Sequence, residues 1–261
     1  MPIVRSGDAD IAYETAGSGD PLLMIMGFLS DSRMWVLQTP AFAPHYTCIT
    51  FDNRGVGMSS SPPGPYTMEQ MAADAIAVLD DAGVDRAHVL GISMGGAIAQ
   101  HVALKAPERV RSLVLAATWC HPNRWLERLG TIGERVASLG HDAFAQSVLL
   151  WLFTPAMVIN KPDVCDAIEQ MILAFEPPAE TFVNQIAAIN AHDTRAQLAQ
   201  VDLPTLVLGA RRDFMVPPEL AENTAKAIPG ARFEMLEGGH AFSAEYSADF
   251  NRVILEFLQA H

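Results

Sequence analysis

Short apolar segments recur along the chain, and amphipathic stretches separate most of them. Seven segments have strand character: DIAYETA, PLLMIMG, YTCITFD, AHVLGIS, SLVLAAT, TLVLGA and RFEMLEG. Several are rich in valine, isoleucine and leucine and barely alternate with polar residues, as is typical of strands that are buried on both faces of a parallel sheet. The alternation therefore predicts an α/β fold in which helices cover a mostly parallel sheet.

Three helices of this scaffold can be placed from periodicity and end signals. One begins at Thr67, which can form a capping box with Gln70, and ends at Gly83. A second runs from about 94 to 106 and stops before a proline. The last covers roughly 245–259 and has four apolar residues on one stripe.

The rhythm changes after the segment SLVLAAT. The following stretch contains no convincing strand, is rich in aromatic residues and has helical periodicity around 131–150 and 163–175. We expect most of the aromatic side chains to pack the core of this stretch and the others to line a cavity below it. The prediction is an α/β core of residues 1–119 and 201–261 that carries a helical cap, or lid, of residues 120–200.

Charge and composition limit the partners of the chain. A formal net charge of −13 disfavours nucleic acid and anionic membrane surfaces, which both need a basic protein surface. The first residues contain no apolar stretch typical of a secretory signal, and no run of 18 apolar residues occurs. Three cysteines without CxxC spacing indicate neither a zinc site nor a disulfide framework. We expect a cytoplasmic protein that acts on a small molecule, without a metal.

The pentapeptide Gly91-Ile92-Ser93-Met94-Gly95 carries the strongest chemical signal. It follows a segment with strand character and precedes a helix-forming stretch, which is the context of a nucleophile elbow. Small residues two positions before and after the serine relieve contacts at such a strained turn. The turn would expose the Ser93 hydroxyl at the carboxyl edge of the sheet, where α/β proteins bind ligands.

A serine hydroxyl needs a base and an orienting acid before it can act as a nucleophile. Asp213 follows the strand TLVLGA, and His240 follows the strand RFEMLE. Both therefore lie on the edge from which Ser93 emerges, in the chain order that elbow-type hydrolases use. The spacing predicts a catalytic triad of Ser93, Asp213 and His240.

Other histidines and aspartates fit these roles less well. Five histidines lack a position after a strand: His45, His88, His101, His141 and His261. Three aspartates also follow no predicted strand: Asp163, Asp193 and Asp202. His121 and His192 lie near the two ends of the insertion, so either could reach the pocket.

An oxyanion hole requires two backbone N–H donors aimed at the developing charge. One is expected from Met94, directly after the nucleophile, and the other from Phe28, in the loop after the strand LLMI. Further pocket residues are predicted among the glycine and the apolar, aromatic or histidine side chains of the loops and the lid: Met26, Gly27, Trp119, His121, Trp151, Phe153 and His192.

These residues resemble those of the α/β-hydrolase superfamily over nearly the whole chain. The segment from Asp52 to Ser59 matches a D-x-R-G-x-G-x-S pattern, and Ala106-Pro107-Glu108-Arg109-Val110 resembles the stretch that follows the elbow helix. The segment from Pro62 to Thr67, with the elbow after it, is similar to 3-oxoadipate enol-lactonases and related esterases. The resemblance implies an eight-stranded sheet with a mobile helical lid and a reaction that needs no cofactor.

The chain departs from the superfamily pattern in the loop after the early strand, where Met26-Gly27 replaces a frequent His-Gly. The backbone donor needs no particular side chain, but methionine adds an apolar, deformable wall. Together with the aromatic residues nearby, it favours a rather apolar substrate. We assign Asp52 and Arg54 to holding their loop rather than to catalysis.

The function expected from these observations is hydrolysis of a carboxylic ester or lactone of a small, rather apolar molecule through an acyl-enzyme on Ser93. The same triad would also serve a cofactor-free perhydrolase or haloperoxidase, or a hydrolase of carbon–carbon bonds. A ligand-sensing protein that turns over slowly is a further alternative from a different class. Haloalkane and fluoroacetate dehalogenases are excluded, because they require aspartate where Ser93 stands.

Overall fold

The computed structural model describes residues 1–261 and contains one eight-stranded sheet. Its strands are β1 (Ile3–Ser6), β2 (Ala9–Gly17), β3 (Asp20–Ile25), β4 (Tyr46–Phe51), β5 (Ala87–Ile92), β6 (Val110–Ala116), β7 (Thr205–Ala210) and β8 (Arg232–Leu236). They are ordered β1-β2-β4-β3-β5-β6-β7-β8. The β1–β2 and β2–β4 pairs are antiparallel, and all the other pairs are parallel. The predicted mostly parallel eight-stranded sheet is confirmed.

Eleven α-helices accompany the sheet. They are α1 (Thr39–Phe42), α2 (Met68–Asp81), α3 (Met94–Lys105), α4 (Arg124–Ala137), α5 (His141–Leu152), α6 (Pro155–Asn160), α7 (Pro162–Leu173), α8 (Ala179–Ala191), α9 (Pro218–Ala227), α10 (Phe242–Glu245) and α11 (Ser247–Leu258). The capping box of Thr67 and Gln70 opens α2 as predicted. The last predicted helix, roughly 245–259, corresponds to α11, and the short helix α10 precedes it across Tyr246, which leaves helical geometry. None of the helices combines the length and the apolar character that crossing a bilayer would require.

The segment between β6 and β7 contains the five helices α4 to α8 and no strand. All five helices lie within the predicted insertion, residues 120–200. The helical periodicity around 131–150 covers parts of two helices, α4 and α5, which are separated at Gly140. This residue has φ +128°, a conformation that glycine adopts at little cost and that interrupts a helix.

The hydrophobic core lies on both faces of the sheet. Successive residues of a strand point to opposite faces, and β3 shows this clearly. Leu23 and Ile25 join the cluster that packs under α2 and α3, whereas Leu22 and Met24 join the cluster that includes α11. Every residue of β5 and β7 is buried. The sheet therefore gives its carboxyl edge a rigid base for the loops that carry the site.

Two buried histidines make the stability of this core sensitive to acid. Burial lowers the pKa of His88 and of His192, in each case to about 4. An unfolded chain keeps histidine near a pKa of about 6.5, so between these two pH values the unfolded state binds more protons. We expect the free energy of unfolding to fall as the pH decreases from about 6.5 towards 4.

Thermal denaturation followed by circular dichroism between pH 7.5 and 4.5 tests this expectation. The melting temperature should decrease through that range. His88→Asn, which removes one titrating group, should show a smaller decrease than the unchanged protein. Equal slopes for both proteins would contradict a neutral His88 in the folded state.

Candidate active site

Ser93 occupies the sharp turn between β5 and α3. Its backbone has φ +56° and ψ −123°, a strained conformation for a residue with a side chain. Gly91 and Gly95 make this turn possible. A Cβ on Gly91 would lie 2.2 Å from the carbonyl oxygen of Gly95, and a Cβ on Gly95 would lie 2.1 Å from that of Ile25. The two glycines flanking the serine are therefore required by close backbone contacts.

Asp213 and His240 lie on the loops that follow β7 and β8, and both meet Ser93 at the carboxyl edge. His240 Nε2 is 3.0 Å from Ser93 Oγ, and His240 Nδ1 is 2.8 Å from Asp213 Oδ2. The other carboxylate oxygen of Asp213 accepts the N–H of Val216 at 2.8 Å. The side chains of Asp213 and His240 are buried. Because the carboxylate accepts from Nδ1–H, Nε2 is left as the acceptor that faces the serine hydroxyl.

The loop after β3 passes directly against the serine. A Cβ on Gly27 would lie 3.1 Å from the Cβ of Ser93 and 3.6 Å from its Oγ, so a larger residue would crowd the hydroxyl. The N–H of Phe28 has no hydrogen-bond acceptor within the protein. Met94 is the first residue of α3, so its N–H has no acceptor within that helix. Both amides are available to a negatively charged oxygen.

A cavity of about 70 Å³ opens at Ser93 and His240 beneath the inserted helices. Five aromatic side chains line it: Phe28, Trp119, Phe144, Trp151 and Phe182. Leu126, Ile186 and Ile189 add aliphatic walls from α4 and α8. Apart from His240, no ionisable side chain lines the cavity. Such a wall suits a neutral, apolar group and offers no counter-ion to a charged one.

The predicted pocket residues are only partly brought together. Trp119 and Trp151 line the cavity. Met26 instead packs into the core cluster on the α11 side of the sheet, and Phe153 packs among lid residues such as Met157 and Ile168. Their assignment to the cavity wall is corrected, because a residue's position near a strand end or in the lid does not specify which way its side chain faces.

The two pocket histidines predicted near the ends of the insertion also lie elsewhere. His192 is buried behind Trp119, where its Nδ1 is 3.1 Å from His101 Nε2 and its Nε2 is 3.1 Å from the Trp119 carbonyl oxygen. His121 is half-exposed, with Nδ1 3.6 Å from the Asp193 carboxylate. Neither lines the cavity. His192 supports the wall from behind rather than forming it.

Asp52 and Arg54 hold loops beside the site, as their assignment predicts. The two oxygens of Asp52 accept the backbone N–H groups of Ser32 and Met58, each at 2.8 Å. Arg54 donates to both carboxylate oxygens of buried Asp74 at 2.7 and 2.8 Å. Neither side chain contacts Ser93 or His240, so their contribution is to loop geometry.

Sequence reasoning missed Glu245, a buried carboxylate beneath the His240 loop. Its Oε2 accepts the N–H of Gly239 at 2.9 Å, and its Oε1 accepts the hydroxyl of Thr154, just before α6. The N–H of Ala241 donates to the Leu152 carbonyl oxygen at 2.9 Å. The loop that carries His240 is thus bonded to the inserted helices. In the sequence, the only indication of this contact was a glutamate five residues after His240.

Comparison with known proteins identifies the family to which this fold belongs. The chain matches the family described as alpha/beta hydrolase fold over residues 20–245. It is 36% identical over 259 residues, 98% of each chain, to a protein of Azorhizobium caulinodans named "Putative carbamate hydrolase RutD". It is 29% identical over 252 residues to 3-oxoadipate enol-lactonase 2 of Acinetobacter baylyi, covering 95% of this chain and 92% of that one.

Among solved structures, the enol-lactonase of Burkholderia xenovorans LB400 is similar with a TM-score of 0.90 and 26% identity. The alignment covers 99% of this chain and 100% of that one. The family match spans β3 to β8, the elbow and the inserted helices, and the structural likeness covers nearly the whole chain. The chain therefore belongs to the alpha/beta hydrolase fold family.

Proposed function

We propose that the protein is a serine hydrolase that cleaves a carboxylic ester or lactone of a small, apolar molecule through an acyl-enzyme on Ser93. The observation that carries the proposal is the continuous arrangement of Asp213, His240 and Ser93, with distances of 2.8 and 3.0 Å, at the mouth of an apolar cavity. A hydroxyl, an imidazole and a carboxylate in this order form the group that acyl-transfer catalysis needs.

In the proposed mechanism, His240 Nε2 takes the proton of Ser93 as Oγ attacks the carbonyl carbon of the substrate. The carbonyl oxygen becomes negatively charged and accepts from the N–H groups of Phe28 and Met94, each worth ~2.7–4 kcal/mol in comparable sites. His240 then protonates the leaving oxygen as the carbon–oxygen bond breaks. Water, deprotonated by His240, attacks the acyl-enzyme; the bond from the acyl carbon to Ser93 Oγ then breaks, His240 returns the proton to Oγ, and the acid is released.

The cavity argues for a neutral substrate. A carbamate anion, or a lactone that carries a carboxylate, would need a cationic partner when buried. The cavity wall contains no lysine or arginine. This distinguishes the chain's preferred substrate from the dicarboxylate-derived lactone that the name of the Acinetobacter relative indicates.

A panel of nitrophenyl esters tests the substrate class. Acetate and butyrate esters should be turned over with kcat/KM at least tenfold higher than the hemisuccinate ester, which differs from butyrate mainly by its terminal carboxylate. Long acyl chains should lose activity relative to butyrate, because bulky aromatic side chains bound the cavity. A preference for the anionic ester would overturn the assignment of a neutral substrate.

Carbamate cleavage is the second candidate, since the 36% identical relative carries that name. A neutral nitrophenyl carbamate presents the same carbonyl carbon to Ser93 and belongs in the same panel. Turnover of the carbamate above that of the acetate ester would replace the ester proposal with this one.

A further inference from the structure

Gln185 of α8 connects the inserted helices to the loop that carries Phe28. Its side chain is fully buried. Oε1 accepts the N–H of Leu29 at 2.9 Å, and Nε2 donates to the carbonyl oxygen of Arg54 at 3.2 Å. Both ends of the amide are therefore occupied by backbone groups that lie more than 100 residues away in the chain.

The loop that receives this bond is strained where it is held. Leu29 has φ +51°, a left-handed conformation that a residue with a side chain adopts at a cost. Two other hydrogen bonds lie within the turn, from the Ser30 N–H to the Gly27 carbonyl oxygen at 3.3 Å and from the Ser30 hydroxyl to the Phe28 carbonyl oxygen at 3.1 Å. Neither involves the N–H of Leu29, and Gln185 supplies the acceptor for that group from outside the turn.

The same helix also fixes the aromatic ring of Phe28. The rings of Phe28 and Phe182 pack edge to face with centroids 5.0 Å apart. Phe182 lies three residues before Gln185, so the two side chains extend from one side of α8. Helix α8 therefore contacts Phe28 in two ways. Phe182 packs against its ring, and Gln185 binds the N–H of the peptide unit between Phe28 and Leu29.

We propose that Gln185 is a positioning residue, which holds the 27–30 loop so that the N–H of Phe28 points at the oxyanion formed on Ser93. The inference rests on the proposed serine-hydrolase function. The oxyanion exists only in the tetrahedral intermediate and the transition states beside it, so its stabilisation affects the chemical step rather than substrate binding. Loss of the Gln185 bond should therefore lower kcat and leave KM nearly unchanged.

Gln185→Met and Gln185→Glu separate the hydrogen bond from the volume of the side chain. Methionine fills the space without a strong acceptor, and kcat for nitrophenyl acetate should fall at least tenfold with KM within twofold. A glutamate buried here without a cationic partner is held as the neutral acid. It then keeps an acceptor for the Leu29 N–H and a donor for the Arg54 carbonyl oxygen, and should retain kcat within threefold. Benzeneboronic acid, which forms a tetrahedral adduct on an active serine, should bind the methionine variant more weakly by the factor that kcat loses.

Ser112→Ala is the matched control. It removes the 2.8 Å bond between Ser112 Oγ and His88 Nδ1, which is equally buried but lies at the amino ends of β5 and β6. This variant should lower the melting temperature and leave kcat unchanged. All rates are expressed per active site titrated with a fluorophosphonate, so that unfolded protein does not contribute.

Three outcomes would overturn the inference: an unchanged kcat in Gln185→Met, an equal loss in the methionine and glutamate variants, or an unchanged boronic acid affinity. If Gln185→Met does not fold, Gln185→Asn, whose amide is one methylene shorter, is judged by the same fall in kcat. Failure of the proposed function is distinguishable, because the unaltered protein would then show no hydrolysis that depends on Ser93.

Discussion

Ser93→Ala should lower kcat for nitrophenyl acetate by at least about 10⁴-fold, the scale of loss found when a serine hydrolase loses its nucleophile. The Ser93 hydroxyl has one hydrogen-bond partner, His240, and removing it leaves the strained turn and its two glycines in place. The variant should therefore fold, with a melting temperature close to that of the unaltered protein. Steady-state kinetics and thermal denaturation measure the two effects.

Covalent labelling distinguishes a lost nucleophile from a damaged pocket. A fluorophosphonate should label the unaltered protein and Ser18→Ala, a control in an exposed turn, but not Ser93→Ala. Mass spectrometry of the labelled peptide should place the adduct on Ser93. An adduct on another serine, or near-normal turnover by Ser93→Ala, would rule out the mechanism.

Asp213→Asn should lower kcat by about 10⁴-fold, as the same change does in a serine protease. The N–H of Val216 donates to Oδ1 of Asp213, so an asparagine keeps its carbonyl oxygen there and turns its NH₂ group towards His240. Nδ1 of His240 must then accept a hydrogen bond, which places the proton on Nε2. An Nε2 that carries a proton cannot take one from Ser93.

Steady-state kinetics and nuclear magnetic resonance check this tautomer argument. Asp202→Asn removes an exposed carboxylate at the opposite, amino end of β7 and should keep the activity of the unaltered protein. Nuclear magnetic resonance of ¹⁵N-labelled histidine should show the proton of His240 on Nδ1 in the unaltered protein and on Nε2 in Asp213→Asn. An Asp213→Asn variant that retains more than a tenth of kcat would assign the orienting role to another group.

The sequence predicted the parts of the fold that depend on local patterns. The buried strands could be recognised because each is an apolar run rich in valine, isoleucine and leucine. The motif around Ser93 could be recognised because any chain with this turn needs the glycines for steric reasons. β1 was missed because this short edge strand, Ile3–Ser6, has mostly exposed or half-exposed residues and no apolar run. The division at Gly140 was missed because apolar periodicity continues on both sides of it.

The parts of the site that depend on long-range contacts could not be predicted. Trp151 and Phe153 lie two residues apart in the same apolar segment, yet one lines the cavity and the other packs inside the lid. The orientation of a lid side chain is decided by neighbouring helices, which local pattern does not specify. Gln185 is an extreme case, since its partners Leu29 and Arg54 are remote in the chain. Only the folded arrangement reveals its bonds.

The carboxylate of Glu245 has a consequence for exchanging the inserted helices between relatives. It accepts from Gly239 on one side and from Thr154 on the other, so the loop with the base and the middle of the insertion share one anion. A chimaera that brought in foreign helices without a hydroxyl at position 154 would leave a buried charge short of a donor. Such a chimaera should therefore carry threonine or serine at position 154. Without that hydroxyl, we expect the His240 loop to shift and the imidazole to move away from Ser93.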